Sequence, residues 1–226
     1  MLKDIFVPIH KEGWPFIGFA AFITFVFFLM WTPLVWPCLL ITLWIIYFFR
    51  DPERIHSDNF NGIISPADGV VQNIRHILPP EELCMKKEPH ICISIFMNIF
   101  NVHVNRIPAS GKITELVYKP GKFFNASLDK ASEFNERQMV KLKLDNDQEI
   151  AFVQIAGLVA RRIVCYLKID QTVSKGERFG LIRFGSRVDL YIPNHFPILV
   201  EIGQTMVAGE TIIAQIPVSL EENSTI

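Results

Sequence analysis

Nucleophilic and acid–base chemistry is built from hydroxyls, carboxylates and imidazoles, and this sequence offers one of each in a defined local setting. Ser186 follows Gly185 in the run Arg183-Phe184-Gly185-Ser186-Arg187-Val188-Asp189, where one β-like stretch ends and another begins. Alone, Gly-Ser reads as a polar turn. Asp68 precedes Gly69 in an Asp-Gly pair, which is ordinary turn chemistry but also aims a carboxylate outward from a rigid β scaffold. His103, in Val102-His103-Val104, carries a ring that titrates near neutrality and can act as base or proton donor. His195, close to Tyr191 and Pro193, reads as a surface-turn residue. Cys38, Cys84, Cys92 and Cys165 are scattered in apolar settings without a C-x-x-C pair, which reads as buried reduced thiols rather than a zinc site.

The frame that would position these groups is mainly β (α+β). After Arg50-Asp51-Pro52-Glu53-Arg54 come short β-rich runs broken by Gly, Pro, Asn and Asp, as at Gly62 to Ile74, His90 to Phe96 and Lys112 to Tyr118. Three stretches share a plan of alternating apolar residues around a glycine turn: 63–74 around Asp68-Gly69, 173–184 around Lys175-Gly176, and 200–216 around Ala208-Gly209. The last is similar to the hairpins of lipoyl and biotinyl carrier domains, but it has no lysine attachment turn, so a carrier function lacks support. The stretch from Pro120 to Glu136 is polar and reads as a solvated loop or short helix. With no low-complexity linker after residue 51, residues 51–226 read as one domain.

The first 50 residues differ. From Trp14 to Phe49 no residue is charged, whereas 20% of the whole chain is. Thr32-Pro33 and Pro37 divide this run into two helices, at 14–31 and 34–49. At about 1.5 Å per residue they reach roughly 27 and 24 Å, near the ~30 Å of a hydrocarbon core, so the pair either spans or dips. Lys3 and Lys11 before it and Arg50 and Arg54 after it place both flanks on the cytoplasmic face. The stretch is too long for a cleaved signal peptide. The net charge of −1, without a basic tract, argues against a nucleic-acid partner.

Six blocks, in order, resemble the short bacterial type of phosphatidylserine decarboxylase. They are Phe49-Arg50-Asp51-Pro52-Glu53-Arg54; Ser65-Pro66-Ala67-Asp68-Gly69; Val102-His103-Val104-Asn105-Arg106-Ile107-Pro108; Asn125-Ala126 with Asp129-Lys130-Ala131-Ser132 and Asn135-Glu136-Arg137; Gln154-Ile155-Ala156-Gly157 with Ala160-Arg161-Arg162-Ile163; and Gly176-Glu177-Arg178-Phe179-Gly180 leading into Phe184 to Asp189. The resemblance implies a proenzyme that cuts itself between Gly185 and Ser186, leaving a β chain of residues 1–185 and an α chain of 186–226 paired as a heterodimer, with a higher oligomer left open. Ser186 would become a covalent pyruvoyl group, with no pyridoxal phosphate and no metal. Its ketone would condense with the substrate amine and accept the electrons released as carbon dioxide departs.

The resemblance also implies roles. Gly185 and Ser186 carry the processing, with Asp68 and His103 as acid–base partners. Arg106, Lys130, Arg137, Arg161 and Arg162 are candidates to hold the phosphodiester and carboxylate of phosphatidylserine, and Phe123-Phe124 a candidate acyl-chain entrance. Longer relatives carry a second His three residues after the match to His103, held to form a triad with the Asp and the Ser. Arg106 stands there in this chain, which leaves the processing base open among Asp68, His103 and His195. Two other readings stay in play, a pyruvoyl decarboxylase of a soluble amino acid and a membrane-tethered β module without enzymatic activity.

Overall fold

The computed structural model describes residues 7–55, 61–122, 124, 134–157, 162–183 and 185–217. Helix α1 (Trp14–Met30) carries Pro15 in its first turn, where the missing N–H is not needed, and ends at an extended Trp31. A single 3-10 turn at Thr32–Leu34 reverses the chain into α2 (Val35–Phe48). The helices lie against each other, with the Thr24 and Thr42 hydroxyls meeting at 3.1 Å. Most of their remaining surface is exposed and apolar, including Phe19, Phe22, Phe25, Phe28, Trp36 and Leu40. Residues Lys11–Met30 are long and apolar enough to cross a membrane, whereas Thr32–Phe48 is shorter.

Among the described residues, thirteen strands follow. They are β1 (Gly62–Ile64), β2 (Gly69–Ile77), β3 (His90–Met97), β4 (Val104–Arg106), β5 (Gly111–Lys119), β6 (Arg137–Lys143) and β7 (Glu149–Ala156). Then come β8 (Ile163–Cys165), β9 (Thr172–Val173), β10 (Arg178–Ile182), β11 (Ser186–Pro193), β12 (Thr205–Met206) and β13 (Ile212–Gln215). They form an eight-stranded antiparallel sheet in the order β12-β2-β3-β11-β7-β6-β5-β9, a three-stranded sheet β4-β10-β8, and the pair β1-β13. The mainly β expectation holds, with the apolar helix pair at the N-terminus.

β11 lies inside the large sheet, fully paired to β3 and for most of its length to β7. Alternation along a strand sends Val188, Leu190 and Ile192 to the main core with Ile93, Ile95 and Phe152, and sends Tyr191 to a second cluster with Cys92, Val153 and Met139. Leu83 and Met85 from the β2–β3 connection cover that second face, so both faces of β11 are buried. The turns at Gly176 and Gly209 do adopt left-handed backbone, φ +81° and +82°. Their flanking strands do not pair with each other, however: β9 joins β5 and β10 joins β4 and β8, while β12 joins β2 and β13 joins β1. What reads as hairpins in the sequence is a set of crossings that stitch three sheets together. All four cysteines are free, and Cys84, expected to be buried, is exposed after a short 3-10 turn.

The helix pair is fastened to this β body at its open end. His10 N–H donates to Phe49 O at 2.8 Å and Asp51 N–H to Pro8 O at 2.7 Å, so the two flanks run together. Phe48 and Phe49 are buried with Leu181. A methyl on Gly13 would lie 2.6 Å from the Phe49 side chain, so only glycine lets the chain pass there.

Candidate active site at the junction of two sheets

The chain leaves the small sheet at Ile182 and enters the large one at Ser186. Gly185 makes the turn with φ +66°, a conformation that costs an L-residue about 1–2 kcal/mol and glycine almost nothing. Ser186 then opens β11, opposite Met97 on β3 and Ala156 on β7. It is fully buried, and its Oγ has no hydrogen-bond partner among the described residues. A buried hydroxyl without a partner costs about 1–3 kcal/mol, so a native chain that keeps one calls for a functional explanation.

His103 sits beside this turn. Its Nε2 lies 3.3 Å from the Gly185 N–H and its Nδ1 lies 3.0 Å from Asn101 O. A carbonyl can only accept and an amide N–H can only donate, so these partners fix the tautomer, with the proton on Nδ1 and the lone pair of Nε2 toward Gly185. The Phe48 ring lies 4.3 Å from the imidazole, centroid to centroid, and the histidine is 1% exposed. Burial pushes its pKa down to about 4, with the Arg50 charge adding to the effect and the Asn101 carbonyl opposing it. At neutral pH the ring is therefore a neutral base.

Asp68 is held one step away. It accepts from Arg54 Nη2 at 2.9 and 3.2 Å and from the Ala208 N–H at 2.7 Å. Burial raises its carboxyl pKa, opposed by Ala208, Arg54, Arg50 and the Val102 N–H. The Val102 contact joins Asp68 to the residue before His103, so the carboxylate supports the backbone that carries the imidazole. No hydrogen bond from Asp68 to His103 or to Ser186 occurs among the described residues. His195 lies beyond the far end of β11, roughly 23 Å of extended strand from Ser186.

The predicted anion-holding residues separate. Arg106 is buried and donates to Gly176 O and Pro52 O at 2.9 Å each, with Asp51 at 3.6 Å, so it ties the segment after α2 to the β body. Arg137 reaches Glu82 at 3.1 Å. Arg162 is exposed, and its backbone carbonyl accepts from Arg183 N–H at 3.2 Å, two residues before the Gly185 turn. Lys130, Arg161 and Phe123 lie outside the described residues. Phe124 is partly exposed and meets Phe134 edge-on.

Several neighbours of Ser186 are not evident from the sequence. Gln154, on the same face of β7, donates to Asn105 Oδ1 at 2.8 Å, and Asn105 Nδ2 faces Met97 Sδ at 3.7 Å. The thioether only accepts, so it sets the Asn105 amide, which sets Gln154 and leaves the buried Gln154 Oε1 without a partner among the described residues. Arg187 and Asp189, both buried, pair at 2.9 Å on the opposite face of β11. Among the described residues, no group of three or more His, Cys, Asp or Glu gathers in a way that would hold a metal ion.

Nearly the whole chain is similar to proteins of one family. The family described as phosphatidylserine decarboxylase matches residues 41–214. Proteins named phosphatidylserine decarboxylase proenzyme are 51% identical in Ruegeria pomeroyi, covering 95% of this chain and 99% of the relative, and 51% identical in Paramagnetospirillum magneticum, covering 96% and 90%. The protein of that name in Rickettsia akari is 54% identical, covering 94% of this chain and 92% of its own. The chain belongs to the phosphatidylserine decarboxylase family of carboxy-lyases.

Proposed function

We propose that the chain converts phosphatidylserine to phosphatidylethanolamine by means of a pyruvoyl group made from its own Ser186. The observation that carries the reading is the cleavage turn itself: a buried, unpartnered hydroxyl directly after a left-handed glycine whose N–H rests on a neutral imidazole. Ser186 Oγ attacks the Gly185 carbonyl carbon, and as the peptide C–N bond breaks an ester forms in its place. His103, neutral at pH 7, takes up the hydroxyl proton, while Asp68 holds the adjoining backbone through Val102. Loss of the Ser186 α-proton then expels Gly185 as a free carboxylate. Water adds to the dehydroalanine that remains and ammonia leaves, giving the ketone. That ketone supplies the electron sink for decarboxylation.

The two chains would stay together after the cut. β11, β12 and β13 of residues 186–226 pair with β3, β7, β2 and β1 of residues 1–185, so a heterodimer needs no new interface. The exposed apolar helix pair favours a lipid substrate over a soluble amino acid. Residues 1–50 would serve as the anchor of the catalytic residues 51–226 at the cytoplasmic membrane. The paired flanks support a hairpin with both ends on one side, and the surrounding basic residues favour the cytosolic side. Arg162, beside the cleavage turn, is the described residue best placed to hold the phosphodiester, with Lys130 and Arg161 as further candidates.

Intact-mass analysis tests the reading. Active protein should yield a 41-residue C-terminal fragment blocked by pyruvoyl, and Ser186→Ala should remain full length and inactive. Carbon dioxide released from phosphatidylserine vesicles but not from free serine identifies the substrate. Active preparations holding only full-length chain with an intact Ser186 would overturn the proposal.

A further inference from the structure

The α1–α2 pair touches the candidate site at three separate places. Phe48, the last residue of α2, lies with its ring 4.3 Å from His103. Arg50, two residues on, donates from Nη2 to Phe100 O at 2.8 Å and so holds the loop whose next residue, Asn101, fixes the imidazole tautomer. Ahead of α1, Glu12 forms an ion pair with Arg183, and Phe16 of α1 lies under the same guanidinium at 5.0 Å. Arg183 is two residues before Gly185. A passive tether needs none of these contacts, because a flexible linker would hold the enzyme at a membrane equally well.

We infer that the base of the helix pair is a wall of the active site, with Phe48 a positioning residue that roofs His103 and keeps its Nε2 directed at the cleavage turn. The inference rests on His103 as the processing base, and it adds that self-cleavage depends on the anchor being folded. The His103 ring meets these described groups: the Phe48 ring from α2, the Asn101 carbonyl, the Gly185 N–H, and the Arg50 charge just past α2. Asp68 reaches only the adjacent Val102 N–H. Of these, the aromatic roof is the one that excludes water, and a water-exposed imidazole returns toward its ordinary pKa of 6.5.

The test uses the full chain made by cell-free synthesis into lipid nanodiscs, followed by a jump to each pH and mass analysis of fragment appearance over time. For Phe48→Ala, the low-pH half-point of processing should move from near 4 toward 6.5, and Phe48→Trp should restore the parental profile. An unchanged profile in Phe48→Ala, or an equal slowing at every pH with the half-point unmoved, would overturn the inference when the His103 ring titration is unmoved as well. The His103 ring titration, followed by NMR in uncleavable Ser186→Ala with and without Phe48→Leu, provides a readout that does not require processing. A raised titration midpoint supports the roof and an unmoved one refutes it. A midpoint that rises while the processing profile stays fixed would keep the roof and remove His103 from the role of base.

Discussion

Gly185→Ala isolates the backbone contribution to the proposed self-cleavage. A Cβ built on Gly185 would come no nearer than 4.0 Å to any side chain beyond its chain neighbours, the closest being Ile99 Cγ2. Steric crowding from the surroundings therefore adds little, and the cost is that of holding an L-residue at φ +66°, about 1–2 kcal/mol. If attack requires the left-handed turn, the reactive population falls by the matching factor, about 5- to 30-fold at 1.4 kcal/mol per decade. Asparagine tolerates this region better than alanine, so Gly185→Asn should recover most of the loss, whereas β-branched Gly185→Val should be slower than Ala. The assay is a pulse of cell-free synthesis into vesicles with a time course of full-length chain against the 41-residue fragment. Alanine at the parental rate would show that the left-handed turn is dispensable. Asparagine slower than alanine would show that side-chain bulk controls the rate instead of the backbone.

Three further outcomes are expected. In Ser186→Ala, stability should fall as pH drops from 6.5 to 4, because the unfolded chain protonates His103 at an ordinary pKa while the folded ring resists until about 4. The full effect is about 3 kcal/mol by urea titration and should vanish in His103→Leu. Arg106→Met removes two bonds to backbone carbonyls and the nearby Asp51 contact, so Tm should drop with a loss of about 2–3 kcal/mol while KM is unchanged; a raised KM at unchanged Tm would return Arg106 to the substrate. Gln154→Leu discards a buried oxygen that has no partner among the described residues, but also the N–H that the buried Asn105 Oδ1 accepts at 2.8 Å, so the unfolding free energy should fall by about 1–3 kcal/mol. If that oxygen receives a donor during turnover, kcat/KM should still fall about tenfold, the equivalent of one hydrogen bond.

The legibility of this chain follows the range of the interactions concerned. Gly185 could be read because a left-handed turn leaves a local mark, and β3 because Ile-Cys-Ile-Ser-Ile is a near-continuous run of the kind that a strand buried on both faces requires. Phe48 could not be read: within an uncharged run of aromatic residues nothing distinguishes the ring that meets His103 from those that face outward. Arg106 was misleading for a similar reason, since a guanidinium beside a motif histidine looks available until the segment that consumes its donors is placed. Strand alternation puts Arg187 and Asp189 on one face but does not reveal that the β2–β3 connection covers it. The relay from Met97 through Asn105 to Gln154 joins the consecutive strands β3 and β4 to β7, 49 residues beyond Asn105, so no local pattern carries it.

Arg50 does more than steady a loop. The segment it fastens presents Ile99 and Phe100 outward, directly beside Gly185 and level with the point where α2 emerges. If the helix pair lies in a bilayer, as proposed, that apolar lip and the Gly185 turn would stand near the plane of the headgroups. A lipid would then approach Ser186 by sliding sideways, without its acyl chains crossing water. Encounter would become a two-dimensional search, governed by the fraction of the surface that the substrate occupies and indifferent to how much membrane is suspended in the tube.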